Sequence, residues 1–117
     1  MNCKGNAISA EEAFAKMSLG HKVIDVRSEK EFLASSFREF ISAPILFDKE
    51  RHEVGLTYKM QGQEEAVLLG HSLVNGDSRE SRISKWVTLS KAYNTNIVTC
   101  ARGGLRSEFA CQWINEA

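Results

Sequence analysis

The chain has 117 residues, of which 43% are hydrophobic and 26% charged, and this composition predicts one soluble globular domain with its own core. Fifteen basic residues balance fifteen acidic ones, which excludes a domain that binds nucleic acid through a large net positive charge. The balance does not exclude a tRNA substrate that is bound mainly by another domain. No apolar run approaches the roughly 20 residues of a membrane span. The three cysteines are an odd number without metal-like spacing, which favours a cytoplasmic location and no metal site.

The first elements along the chain are a helix and a buried strand. Ser9 to Glu12 has the pattern of a capping box, which predicts a helix to about Leu19 with Gly20 as its C-terminal stop. The short apolar run Val23 to Val26 is typical of a parallel strand covered on both faces.

A second capping box, Ser28 to Glu31, predicts a short helix directly after that strand. The segment Ile41 to Leu46 contains Pro44, which has no N–H to donate to a ladder. We therefore predict a short strand near the edge of the sheet.

From Asp48 to Val74 the apolar spacing is helical, with expected breaks at Gly55 and Gly62. A turn then follows, where Asp77 or Ser78 could cap the next helix. That helix carries an apolar stripe from Ile83 to Tyr93. The last strand is predicted for Asn96 to Thr99, and the last helix for Ser107 to about Glu116. Strands alternating with helices predict an α/β fold with a mostly parallel central sheet.

Chemistry in such sheets sits at the carboxyl ends of the strands, and Cys100 lies at the end of the last one. The glycine-bearing loop that follows can present backbone N–H groups to an anion, and the field of the next helix favours thiolate over thiol. Arg106 offers a planar fork of donors to the same anion, and Ser107 is the expected N-cap of the helix. The predicted anion-binding loop comprises Ala101, Arg102, Gly103, Gly104, Leu105, Arg106 and Ser107.

Asp25 and Arg27 end the early strand and are plausible neighbours of Cys100. They either support the active loop or form a structural ion pair, and the sequence leaves both possibilities open. Five residues separate Cys100 from Arg106, a spacing that also suits a phosphatase or an arsenate reductase. A phosphatase needs a general acid as well, and Asp25, Asp48 and Glu108 are the candidates.

The stretch Ile24 to Arg27, the pair Glu31-Phe32 and the stretch Cys100 to Ser107 together resemble a rhodanese-like domain over nearly the whole chain. The resemblance implies a three-layer fold with helices flanking the sheet. Ser36 to Ser42 departs from the family, because it lacks the Gly-His-x-Pro-Gly-Ala phrase usual before the third strand.

A more specific resemblance is to the tRNA 2-selenouridine synthase family. It rests on Cys100 to Ser107 and on the central segments, namely Pro44 to Leu46, Asp48 to Gly55, Tyr58-Lys59, Gln61 to Gln63, Leu69 to His71 and Gln112-Trp113. Members exchange the sulfur of wobble 2-thiouridine in tRNA for selenium from selenophosphate, and a geranylated intermediate has been ascribed to them.

The family resemblance implies that Cys100 is the essential nucleophile or chalcogen carrier. It also implies that residues 1–117 form a single domain, the first of two, and that a P-loop domain follows and holds most of the tRNA. No GxxxxGK[ST] motif occurs in this chain, so we expect no cofactor to be bound by this domain. An inactive rhodanese module that serves as a docking surface is the alternative from another class.

Overall fold

A computed structural model describes residues 9–100 and 104–117. Helices and strands alternate along the first half, and helices dominate the second. The elements are α1 (Ala10–Ser18), β1 (Val23–Asp25), α2 (Glu29–Ala34), β2 (Phe40–Ser42), α3 (Asp48–Gln61), α4 (Gln63–Leu73), α5 (Gly76–Tyr93), β3 (Val98–Thr99) and α6 (Leu105–Glu116).

The three strands of the described chain form one open parallel sheet in the order β2-β1-β3. Ile24 of β1 pairs with Ile41 on one side and with Val98 on the other. Among the strands of the described residues, β2 pairs with β1 alone and so lies at an edge of the sheet, as predicted for this segment. The helices flank this sheet, as a rhodanese-like fold requires.

Alternation along the strands separates two apolar clusters, one on each face of the sheet. Ile24 and Val98 belong to the large cluster, which also holds Trp86 of α5 and Trp113 of α6. Val23 and Ile97 belong to the small one, with Met17 of α1. The predicted layers are therefore present: helices cover both faces, and the thicker core lies under α5 and α6.

Two predicted helix boundaries are wrong. The chain does not break at Gly55, which lies inside the continuous helix α3, while Gly62 does separate α3 from α4 because its φ of +97° cannot continue a helix. The N-cap of α5 is Asn75, and neither Asp77 nor Ser78 caps it. The Asn75 N–H instead donates to Ser78 Oγ at 3.2 Å, which places the serine three residues inside the boundary.

The strand predicted for Ile41 to Leu46 is shorter and earlier, because β2 ends at Ser42. Hydrogen bonds to β1 continue beyond it, from the Ala43 N–H to Asp25 O at 2.9 Å and from the Ile45 N–H to Val26 O at 3.1 Å. Pro44 lies between these two donors and interrupts the ladder, as its missing N–H requires. None of the helices in the described residues is long and apolar enough to span a bilayer.

Candidate active site

Cys100 is half-buried and follows β3 directly, at the carboxyl edge of the sheet. Its Sγ accepts a hydrogen bond from the Ser107 backbone N–H at 3.3 Å. It also lies 3.4 Å from Ser107 Oγ, which in turn donates to Gly104 O at 2.9 Å. The first turn of α6 therefore faces the sulfur with a backbone donor, as expected for a site that stabilises negative charge.

The helix after the loop begins two residues earlier than predicted. Gly104 is the N-cap of α6 and adopts a left-handed backbone with φ +69°, so that Ser107 lies at the third helical position and is not the cap. This shift is what turns the Ser107 N–H toward Cys100 Sγ. The predicted loop residues Ala101, Arg102 and Gly103 lie outside the described residues.

Arg106 is held by a carboxylate that the sequence did not single out as part of the site. Its Nη1 and Nη2 donate to Glu31 Oε1 and Oε2 at 2.7 and 3.1 Å. A two-bond pairing of this kind fixes the plane of the guanidinium and leaves its remaining N–H groups for another acceptor. The signal in the sequence was the capping box, in which Glu31 serves as the partner of Ser28.

Glu31 remains ionised at neutral pH. Partial burial by itself would raise its pKa, but the hydrogen bonds and charge of Arg106, with further hydrogen bonds from Ser28, lower that pKa from 4.5 to about 2. The Ser28 N–H and Oγ donate to Oε1 at 3.1 and 2.9 Å. One carboxylate therefore both starts α2 and holds the arginine of the site.

Asp25 and Arg27 form a pair on the same edge of the sheet. Asp25 is fully buried and accepts bonds from Arg27 Nε at 3.0 Å and Nη2 at 2.7 Å, while Arg27 Nη2 also donates to Ser35 O at 2.8 Å. The hydrogen bonds that Arg27 donates to Asp25 raise the pKa of Arg27, against the effect of burial. Arg27 borders a small cavity of about 240 Å³ that Cys100 also lines, so the guanidinium of this ion pair and the cysteine share one cavity.

Cys100 also lines a larger cavity of about 630 Å³, and the walls of this cavity are mostly apolar. Side chains from α3, α4 and α6 line it, among them Val54, Val67, Phe109 and Trp113. His71 packs edge-on against Phe109, with ring centroids 4.9 Å apart. Helical periodicity predicted the helices but could not show that their faces meet over the cysteine.

The same cavity holds Arg51 together with Arg106, and its described lining contains no carboxylate. A half-buried cysteine, two guanidinium groups and an apolar wall can together accept an anionic group attached to an apolar or aromatic body. Among the described residues, no group of three or more His, Cys, Asp or Glu side chains is placed to hold a metal ion.

Comparison with known proteins identifies relatives of one kind. A protein of Shewanella woodyi named tRNA 2-selenouridine synthase is 45% identical over 101 residues, and one of Verminephrobacter eiseniae with the same name is 42% identical over 93. The chain is similar to tRNA 2-selenouridine synthases. The matches cover 86% and 80% of this chain but only 27% and 26% of those two synthases. No family model matches the chain.

A solved structure supports the fold. The N-terminal domain of a Clostridium difficile 630 protein described as ATP/GTP-binding aligns with a TM-score of 0.71 and 29% identity. The alignment covers 95% of this chain and 84% of that domain. The α/β architecture is therefore shared, while the synthase relatives supply the similarity in sequence.

Proposed function

We propose that this domain carries the chalcogen-transfer site of a tRNA 2-selenouridine synthase, with Cys100 as its nucleophile. In the overall reaction the C=S bond of wobble 2-thiouridine is replaced by C=Se. Selenophosphate supplies the selenium and ends as phosphate with an oxygen from water, and sulfide is released. The enzyme is thus a transferase, and tRNA and selenophosphate are its substrates.

One observation carries this proposal: Cys100 lines two cavities, and Arg106 lines the larger of them with it. A cysteine sulfur that accepts a backbone N–H and shares its cavity with a guanidinium can receive an anionic donor. The larger, mostly apolar cavity suits a geranyl chain of the kind that the family resemblance implies. Relatives that are 45% identical and named for the reaction support the choice of substrate.

The chain corresponds in this proposal to the first domain of a longer enzyme. It spans about a quarter of the length of the synthases that it matches. The solved domain that shares its fold is the N-terminal part of a protein described as ATP/GTP-binding. We propose that a nucleotide-binding domain of this kind holds most of the tRNA, since this chain has no net charge. The site of action is then the cytoplasm.

A phosphatase on the same scaffold is the second candidate, because five residues separate Cys100 from Arg106. The described lining of both cavities includes no Asp or Glu that could protonate a leaving oxygen. Asp25 is committed to Arg27, and Asp48 Oδ1 accepts the Lys30 N–H at 2.9 Å. The engagement of Asp25 and Asp48 supports chalcogen transfer as the first candidate.

The test is Cys100→Ser in the full-length enzyme, which keeps the size of the side chain but removes the thiolate. We expect loss of selenouridine formation with an unchanged melting temperature and unchanged tRNA binding. Retained activity would exclude Cys100 as the nucleophile. Turnover of an aryl phosphate that depends on Cys100, without response to selenium donors, would favour the phosphatase. A Cys100 thiol that alkylates no faster than free cysteine would favour the docking module.

A further inference from the structure

Arg51 is a second cation in the cavity of Cys100 that the proposed chemistry has not used. It projects from the first turns of α3 and lines the cavity together with Cys100 and Arg106. Its Nε lies 3.7 Å from Glu31 Oε1, within ion-pair range but beyond a hydrogen bond. That Nε is buried and has no hydrogen-bond partner.

Charge around Arg51 is only half neutralised. Glu31 is shared by two guanidinium groups, and its Oε1 is already occupied by Ser28 and Arg106. Two other acids of α3 are engaged elsewhere, because Glu50 Oε1 accepts from Arg82 Nη2 at 2.6 Å and Asp48 Oδ1 accepts the Lys30 backbone N–H at 2.9 Å. Two cations against one anion leave one positive charge in excess. This charge lies at the wall of a cavity lined mostly by apolar side chains, where its attraction for an anion is screened less than in bulk water.

Gly55 explains how Arg51 reaches this position. The residue lies one helical turn after Arg51, and a Cβ placed on it would lie 2.6 Å from Arg51 Nη1. Gly55 has no positive φ, so its backbone does not require glycine. The missing side chain instead makes room for the guanidinium to lie across the helix.

We propose that Arg51 is a second substrate-binding residue of the Cys100 site, which together with Arg106 selects a substrate group of the phosphate class that carries two negative charges. This inference rests on the proposed function and names the chemistry by which its donor is recognised. A dianion neutralises both arginines at once, whereas a neutral or singly charged group leaves one of them uncompensated. Glu31 keeps the two guanidinium groups together while the cavity is empty.

The test compares alkylation of Cys100 by iodoacetate, which is anionic, with alkylation by iodoacetamide, which is neutral, in the full-length protein. Quantifying the Cys100 peptide by mass spectrometry keeps the other cysteines out of the measurement. We expect Arg51→Gln to lower the iodoacetate-to-iodoacetamide rate ratio by about threefold or more. Protection of Cys100 by inorganic phosphate should weaken in parallel, and Arg51→Lys should retain most of both effects.

Two further variants separate position from net charge. Gly55→Ala keeps every charge but displaces the guanidinium, so it should also lower the rate ratio, without loss of stability because alanine favours a helix. Arg38→Gln removes the same charge at an exposed position outside the described cavity lining and should leave the ratio unchanged.

An unchanged ratio and unchanged phosphate protection in Arg51→Gln would overturn the inference. An equal fall of the ratio in Arg38→Gln would overturn it too, since net charge alone would then be responsible. Either result leaves the proposed function standing as long as Cys100→Ser abolishes selenouridine formation. Conversely, an active Cys100→Ser enzyme removes the proposed function whatever the alkylation ratio does.

Discussion

Glu31→Gln tests the coupling between the start of α2 and the site. The substitution keeps the shape of the side chain, and a glutamine can still accept the Ser28 N–H as in a capping box. It removes the negative charge that holds Arg106 in two bonds of 2.7 and 3.1 Å. Any loss of stability therefore reports on the charge and not on the helix cap.

The magnitude follows from the pKa of Glu31, which falls from 4.5 to about 2. Each pKa unit corresponds to about 1.4 kcal/mol, so the ionised form stabilises the fold by at most about 3 kcal/mol. With 28% of the side chain in contact with water, we expect Glu31→Gln to lower the free energy of unfolding by about 2 kcal/mol at pH 7.

The pH dependence has a defined sign. Since the pKa of Glu31 is depressed in the folded state, its stabilisation is fully present above pH 4.5 and is lost as the pH falls toward 2. Urea unfolding of both proteins at several pH values should show the difference between them shrinking over that interval. Glu29→Gln, an exposed change in the same helical turn, is the control and should show no comparable effect.

A difference between Glu31→Gln and the unchanged protein that stays constant from pH 5 to pH 2 would refute the reasoning. So would equal losses of stability in Glu31→Gln and Glu29→Gln, because helix-terminal charge alone would then account for both. A difference between the two proteins that is present at pH 7 and shrinks only below pH 5 assigns the stabilisation to the ionised Glu31 in its pair with Arg106.

Two further predictions concern the scaffold. Trp86→Phe should lower the free energy of unfolding, measured with urea, by about 2 to 4 kcal/mol. The substitution leaves a void and deprives the buried Ala43 carbonyl of its 2.8 Å hydrogen bond from Trp86 Nε1. A loss smaller than that of an exposed substitution such as Tyr93→Phe would contradict this prediction. Gly62→Ala should lower the melting temperature, because an alanine at φ +97° and ψ 178° carries backbone strain of about 1 to 3 kcal/mol. An unchanged melting temperature would show that the junction of α3 and α4 relaxes freely.

The sequence predicted the parts of the fold that depend on local signals. The capping patterns located the first residues of α1 and α2, with Ser9 and Ser28 as their N-caps, and the complete capping box forms at Ser28. A helix break was predicted at both Gly55 and Gly62, but only Gly62 breaks the helix, because only Gly62 has a positive φ. Gly55 is small for another reason, since it leaves room for the Arg51 side chain one turn away. Only the three-dimensional arrangement separates these causes.

The candidate site could be predicted only where it follows the chain. Cys100 and Arg106 lie on one loop and its helix, so their spacing is visible in the sequence. Glu31 and Arg51 reach the same place from α2 and α3, through tertiary packing that leaves no pattern in the residues themselves. The capping box already accounts for Glu31 in the sequence, so no local pattern indicates its second contact, with Arg106.

Glu31 both caps α2 and holds Arg106, and this double role limits how the site can move. The carboxylate cannot shift when an anion binds, because the Ser28 N–H and hydroxyl fix its Oε1 at the start of α2. Under the proposed function, Arg106 binds substrate with the donors that Glu31 leaves free, while Arg51, whose Nε lies 3.7 Å from the carboxylate without a hydrogen bond, turns toward the anion. The two arginines then differ in role: Arg106 supplies a fixed charge in the cavity of Cys100, and Arg51 supplies a movable one.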